Sequence, residues 1–254
     1  MKESQDIKMF KRFQDSFRKW SGHFRILEQR IPVEEQMEYF KYAEKLRKKE
    51  GRENVSETDL PALRSELNDP DVSVSHKKYL LALLASLHLV KAYRIVEEYA
   101  EAPDPEMANW AYMALMESRI VLESDLSDEK QILISTGMGG KGEKLRFYVL
   151  ILANELKPFQ DYQRKIVERE FPYQLEKADC EIEQLTIGEQ YVAMVFLIPV
   201  LAEIKQVIER VINECNEYGN FLSSSFTITN VKELSEEEVH EVIKKNERDS
   251  RTGR

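Results

Sequence analysis

The chain has 254 residues, with 37 lysines and arginines against 46 aspartates and glutamates, for a formal net charge of −9. Hydrophobic residues make up 42% and charged residues 33%, with only 9 glycines and 8 prolines. These totals exclude collagen-like, disulfide-dense and wholly disordered chains, and they favour long helices over a turn-rich all-β fold.

The first twenty residues hold no continuous apolar run of the signal-peptide kind. The most apolar segment, Tyr191 to Leu201, is about half the length of a membrane span. A cytoplasmic protein with no membrane span is the expectation. Cys180 and Cys215 lack CxxC spacing and read as reduced, packed thiols. The four histidines (His23, His76, His88, His240) form no HExxH or Cys/His cluster, so neither a metal nor a cofactor is expected.

Residues 8 to 31 place large apolar side chains at Phe10, Phe13, Phe17, Trp20, Phe24, Leu27 and Ile31, in alternating steps of three and four. That spacing is an a/d heptad seam and predicts a helix. Lys8, Lys11, Arg12, Arg18, Lys19, Arg25 and Arg30 stand against only Asp15 and Glu28 here, so the segment is basic inside an acidic chain. Phe10, Phe13, Phe17 and Trp20, with Lys11, Arg12, Arg18 and Lys19, are the expected partner-binding residues, unless the seam packs on the protein's own helices.

Residues 33 to 130 read as paired helices. Val33 to Glu50 is amphipathic, and Ser56 with Asp59 and Pro61 opens a second helix. An apolar helix follows from about His76 to Leu89, another from Lys91 to Glu101, and a last one from Met107 to Glu123. An Asp-Pro-acidic signal occurs at Asp69 to Asp71 and again at Asp104 to Glu106, each time ahead of an apolar helix. Aspartate before proline is a helix-start signal, and its recurrence suggests a stacked repeat. The run LRSELNDPDVSVSHKKYLLALLASL is similar to HEAT-type repeats. The resemblance covers about a third of the chain and lacks the arginine often found early in that family's second helix. It implies a scaffold that binds protein or nucleic acid; a plain helical bundle is the alternative.

Residues 131 to 143 form a glycine-rich connector. Gly137, Gly139, Gly140 and Gly142 stand together, with Lys141, Lys144 and Arg146 at hand, as in an anion-binding loop. The Walker pattern is not met, because Gly142 follows Lys141 and the next segment reads as a strand. A flexible turn is the alternative.

Residues 144 to 234 alternate in type. A strand from Lys144 to Ala153 precedes a helix from Pro158 to Lys177 that Pro172 should kink. A strand from Asp179 to Thr186 turns at Ile187 to Gln190 into an apolar strand from Tyr191 to Ile198. A helix to Tyr218 and a strand from Ser225 to Val231 complete the order βαββαβ, the ferredoxin-like arrangement. With both helices on one face, the other sheet face should be open. Phe147, Tyr148, Tyr191 and Phe196 are then the residues to stack bases, although no RNP-type consensus is present. Ser235 should cap a short helix to about Asn246, followed by a disordered polar tail.

The expected fold class is thus α+β, a HEAT-like helical region followed by a ferredoxin-like domain. No nucleophile elbow or GxGxxG in helix-opening context is present. The expected function is a non-enzymatic cytosolic adaptor with a protein partner, and a homo-oligomer is left open. The alternatives are an RNA- or ribonucleoprotein-associated factor and a sensor of a small anion at the glycine loop.

Overall fold

The computed structural model describes residues 23–48, 55–127 and 131–252. Among them are eight α-helices and an antiparallel sheet, so the protein is mixed α/β. The chain divides into two compact units. One contains residues 21–27 and 31–135, and the other contains residues 28–30 and 136–254.

The first unit is helical. Its described helices are α1 (Val33–Lys48), α2 (Leu60–Asn68), α3 (Val74–Ser86), α4 (Val90–Glu101) and α5 (Ala108–Ser127). The apolar run of α3 has no polar face: Leu80 through Ala85 are all buried, as expected for a helix enclosed by others. Tyr39 of α1 meets Trp110 of α5 edge to face, with ring centroids 5.1 Å apart. The Tyr39 hydroxyl donates to Glu117, and the Trp110 Nε1 donates to the Lys78 carbonyl, so each buried polar tip is satisfied. Burial, with the Glu117 carboxylate beside it, holds the Tyr39 phenol well above its ordinary range.

The two Asp-Pro signals do different work, and this removes the basis for reading a repeat. Asp69 ends α2 and accepts from the Asp71 amide (2.9 Å), while Ser73 caps α3. Asp104 caps nothing with its side chain; it accepts from Lys77 Nζ (2.6 Å) and the Tyr99 hydroxyl (2.8 Å). The Lys77 side chain is only 5% exposed, and a buried ammonium requires such a partner. The HEAT-like repeats are not confirmed.

The expected helix through residue 31 is also corrected. His23–Ile26 is a strand, β1, paired in parallel with β2 (Gln131–Ile134). Phe24, Leu27 and Ile31 fit a helical seam by number, but the Arg25 and Leu27 backbone is committed to this ladder: the Leu27 amide donates to Ile134. Leu27 and Ile31 still reach the helical core.

The second unit is built on a five-stranded sheet. Its strands are β3 (Gly140–Lys141), β4 (Lys144–Ala153), β5 (Glu181–Ile187), β6 (Tyr191–Pro199) and β7 (Leu222–Thr229). Every pairing is antiparallel; β4 lies between β6 and β7, and β5 pairs with β6. β3 takes the start of the β4 edge that β7 occupies further on. The central strands are apolar along nearly their whole length and are buried on both faces. Helices α6 (Asp161–Glu176) and α7 (Ile204–Asn216) pack side by side and adjoin β5 and β7. Pro172 is exposed and α6 runs through it unbroken. The last helix, α8 (Glu236–Thr252), is longer than the sequence suggests and extends into the segment read as a disordered tail.

Candidate nucleic-acid interface

Alternation along β4 puts Arg146, Tyr148, Leu150 and Leu152 on one sheet face. The register places Val195, Ala193 and Tyr191 of β6 opposite Tyr148, Leu150 and Leu152. These residues form one apolar cluster with Met138, Leu156, Leu234 and the α8 side chains Val239, Val242 and Ile243. The face is therefore not open, which corrects the expectation of a bare platform. Tyr148 is 5% exposed and Val239 4%. Burial, followed by the Tyr191 phenol and the Glu233 and Glu238 carboxylates, pushes the Tyr148 phenol up to about 12.

Phe147 and Phe196 face the other way. They pair directly in register with ring centroids 6.4 Å apart, and both are buried. They cannot join Tyr148 and Tyr191 on one surface, because one residue along a strand reverses the face. The four expected aromatics thus divide into two pairs on opposite faces, Tyr148 with Tyr191 and Phe147 with Phe196.

Two guanidinium groups flank the Tyr148 end of this face. Arg146 donates to Glu183 (2.8 Å) and to the Met138 carbonyl (2.6 Å). Arg30 pairs with Glu233, just before α8, and lies 3.7 Å from Glu183. The Arg146 hydrogen bond holds the Glu183 carboxyl below its ordinary range. Sequence reading missed Arg30 and Glu233 as a pair because 203 positions separate them and neither belongs to a motif. The α8 side chains left a signal: Val239, Val242 and Ile243 recur at helical spacing.

The glycine loop does not gather as a free anion cradle. The amides of Gly139, Gly140 and Gly142 donate to Thr136, to the Glu28 carbonyl and to the Glu28 carboxylate (3.2, 3.4 and 3.0 Å). Gly139 has φ +66°, and a Cβ there would lie 2.4 Å from the Glu28 carbonyl oxygen. Gly137 is similarly tight against the Val231 carbonyl. Lys141 pairs with Glu181 (3.3 Å), and Lys144 with Asp179 and Glu181 (2.9 and 3.0 Å). The glycines permit close backbone packing, and the chain's own carboxylates hold the three cations. Phe10, Lys11, Arg12, Phe13, Phe17, Arg18, Lys19 and Trp20 lie outside the described residues.

Elsewhere the described residues offer less chemistry. They contain no group of three or more His, Cys, Asp or Glu side chains able to hold a metal ion. Cys180 and Cys215 are buried free thiols, and burial pushes both up to about 12. A polar groove of about 220 Å³ is lined by Asn154, Lys157, Gln160, Gln163 and Asn220. Its amides serve local turns: Asn154 Nδ2 donates to the Asn220 carbonyl (2.9 Å), and Gln160 with Gln163 caps α6. Among the described residues, no helix is long and apolar enough to cross a membrane.

No family model and no curated protein matches the chain. Among solved structures, it is similar to a protein described as a transposase from Deinococcus radiodurans R1, at 12% identity and TM-score 0.35, over 42% of this chain and 94% of that one. It is also similar to a REP-associated tyrosine transposase bound to a REP hairpin, at 10% identity and TM-score 0.31, over 39% of this chain and 62% of that one. Both are described as transposases and neither as an adaptor, and the expectation of a non-enzymatic adaptor with a protein partner is not carried further. At these scores the likeness carries no further argument.

Proposed function

We propose that the second unit binds single-stranded nucleic acid on the sheet face that carries Tyr148 and Tyr191. The finer fold reading belongs to the same proposal: strand order β7-β4-β6-β5 with two helices after β4 and β6 is a ferredoxin-like arrangement. The observation that carries the function is the sharing of one face by two tyrosines on the two central strands, with Arg30 at one end, where a phosphate would replace the Glu233 carboxylate. Register separates the tyrosines by four residues, roughly 13 Å along the strands at about 3.3 Å per residue. That spacing suits a strand whose bases are splayed apart rather than a stacked duplex. Aromatic faces accept bases by stacking, and guanidinium groups hold backbone phosphates through paired hydrogen bonds. Thr227 and Ser225 on β7 and Gln184 and Thr186 on β5 flank the face as exposed uncharged groups, and the acidic Glu181 and Glu183 at the Arg146 end are paired with Lys144 and Arg146. They spare a phosphate backbone the repulsion that the net charge of −9 would suggest.

The test is fluorescence anisotropy of labelled oligothymidylate and oligouridylate, each of about 20 nucleotides, longer than the ~4–16 that one such platform occupies. The full chain should bind, and raising salt from about 50 to about 200 mM should weaken binding. Tyr191→Ala should cost roughly 1–3 kcal/mol, the range for one stacked base. Tyr191 is only half-buried, so this variant spares the fold more than one at Tyr148 would. Absence of salt-sensitive binding to both oligonucleotides ends this reading, and their ratio shows which sugar the face prefers.

A further inference from the structure

The face proposed to bind a strand is occupied by the protein's own C-terminal segment, and the way it is occupied resembles a ligand. Glu233 places a carboxylate on Arg30, the position that a backbone phosphate would take. Val239, Val242 and Ile243 lie on the floor formed by Tyr148, Leu150, Ala193 and Val195, where bases would stack. We infer that residues 233–248 are a tethered competitor: the segment closes the face in the free protein, and a single strand displaces it. This inference rests on the function proposed above and adds its regulation.

The segment is built to move as a piece. Its tether is pinned upstream, because the Met138 amide donates to the Asn230 carbonyl (3.0 Å) and the Val231 carbonyl lies against Gly137. Beyond Val231, the bonds that cap the start of α8 lie between Lys232 and Glu238. The Ser235 hydroxyl accepts from the Glu238 amide (3.3 Å), and the Glu238 carboxylate accepts from the Ser235 amide (2.9 Å) and from Lys232 (2.6 Å). These bonds survive when the helix leaves the sheet, so α8 keeps its conformation as it lifts. Its grip on the sheet is narrow. Val239 is fully buried and Val242 and Ile243 partly so, whereas His240, Glu241, Lys244 and Lys245 are exposed. Acidic Glu236, Glu237 and Glu238 at its start repel an approaching phosphate backbone until the helix leaves.

Two measurements on the full chain test this. Hydrogen exchange of the amides in residues 236–248 should quicken when saturating oligothymidylate is added, while exchange along β4 and β6 slows. The double variant Val239→Asp, Ile243→Asp, with Tyr148 and Tyr191 intact, should bind the same oligonucleotide at least tenfold more tightly. Equal affinity of variant and native chain, or unchanged exchange in α8 at saturation, overturns the competitor; the face then stands only if Tyr191→Ala, at the half-buried ring, still weakens binding. If neither chain binds while both show the native circular dichroism, the stacking face falls and the competitor with it.

Discussion

The two faces of the one sheet are closed in different ways, and the difference separates a core from a cover. On one side, Phe147, Val149, Ile151, Met194, Phe196 and Ile198 are buried, and α6 and α7 add Val167, Phe171, Leu175, Ile208, Val211, Ile212 and Cys215, all buried. Both helices are bracketed by strands of the same sheet, so neither can leave without unfolding the unit. On the other side, α8, which no described strand of this sheet follows, contributes one buried side chain and a few partly buried ones. The apolar floor beneath is too large to stand bare in water. It must be covered, yet nothing obliges the cover to be permanent.

The sharpest way to break that contrast is to cut into the permanent side. Phe171 on α6 has no solvent exposure. Phe171→Ala should cost about 3–5 kcal/mol, the range for truncating a buried aromatic. The loss should appear as a single lowered midpoint for the whole second unit in urea, followed by circular dichroism. A midpoint that does not move, or α6 and α7 lost while α8 stays on an intact sheet, would show that the two faces are not differently bound.

The Tyr148 phenol reports on the other face. Burial under α8 pushes it up to about 12, against 10.0 for the free phenol. A group whose folded value is raised adds stability that is complete below pH 10.0 and is lost as pH climbs toward about 12. The second unit should therefore become easier to unfold in urea above pH 10.0, beginning on the α8 face. Spectrophotometric titration, read as the difference from Tyr148→Phe so that Tyr39 and Tyr99, which also titrate high, cancel, should find this phenol moved down toward 10.0 in the Val239→Asp, Ile243→Asp chain. A group that stays high in that chain would mean that burial by α8 is not what raises it.

Much of this arrangement was legible in the sequence, and the parts that were not share a cause. The element order of the second unit follows from periodicity, since β4 and β6 are unbroken apolar runs and α7 shows a clean stripe at Ile204, Ile208, Val211 and Ile212. The cap at Ser235 was equally visible. Periodicity states that a face is apolar but not what covers it, so the sequence points to a bare sheet face and, separately, to a short helix after Ser235. The segment from Phe24 to Ile31 fits strand and heptad alike, and only the distant partner β2 decides between them. The glycine loop looked like an anion site because its cations are adjacent in sequence, whereas the carboxylates that pair with them come from Asp179, Glu181 and Glu183, and Glu28 takes the Gly142 amide. The two Asp-Pro signals are alike in sequence and unlike in space, because Asp104 finds Lys77 and Asp69 finds only its own turn.

The smallest expected effect separates the folding of α8 from its docking. Ser235→Ala removes the hydroxyl that accepts from the Glu238 amide and should cost about 1 kcal/mol of helix stability. The Glu238 carboxylate keeps its bond to Lys232, so the first turn is weakened rather than lost. The cap touches nothing on the sheet, and it stabilises the helix equally whether docked or lifted. Its loss should therefore speed hydrogen exchange at residues 236–239 and leave oligonucleotide affinity within about threefold of the native chain, a change worth well under 1 kcal/mol. The Val239→Asp, Ile243→Asp chain differs because its substitutions fall on the side chains that dock on the sheet. If Ser235→Ala instead tightens binding as much as that double variant, α8 departs by unravelling from its first turn and not as an intact helix. The contrast between the two faces would then reduce to the stability of one helix.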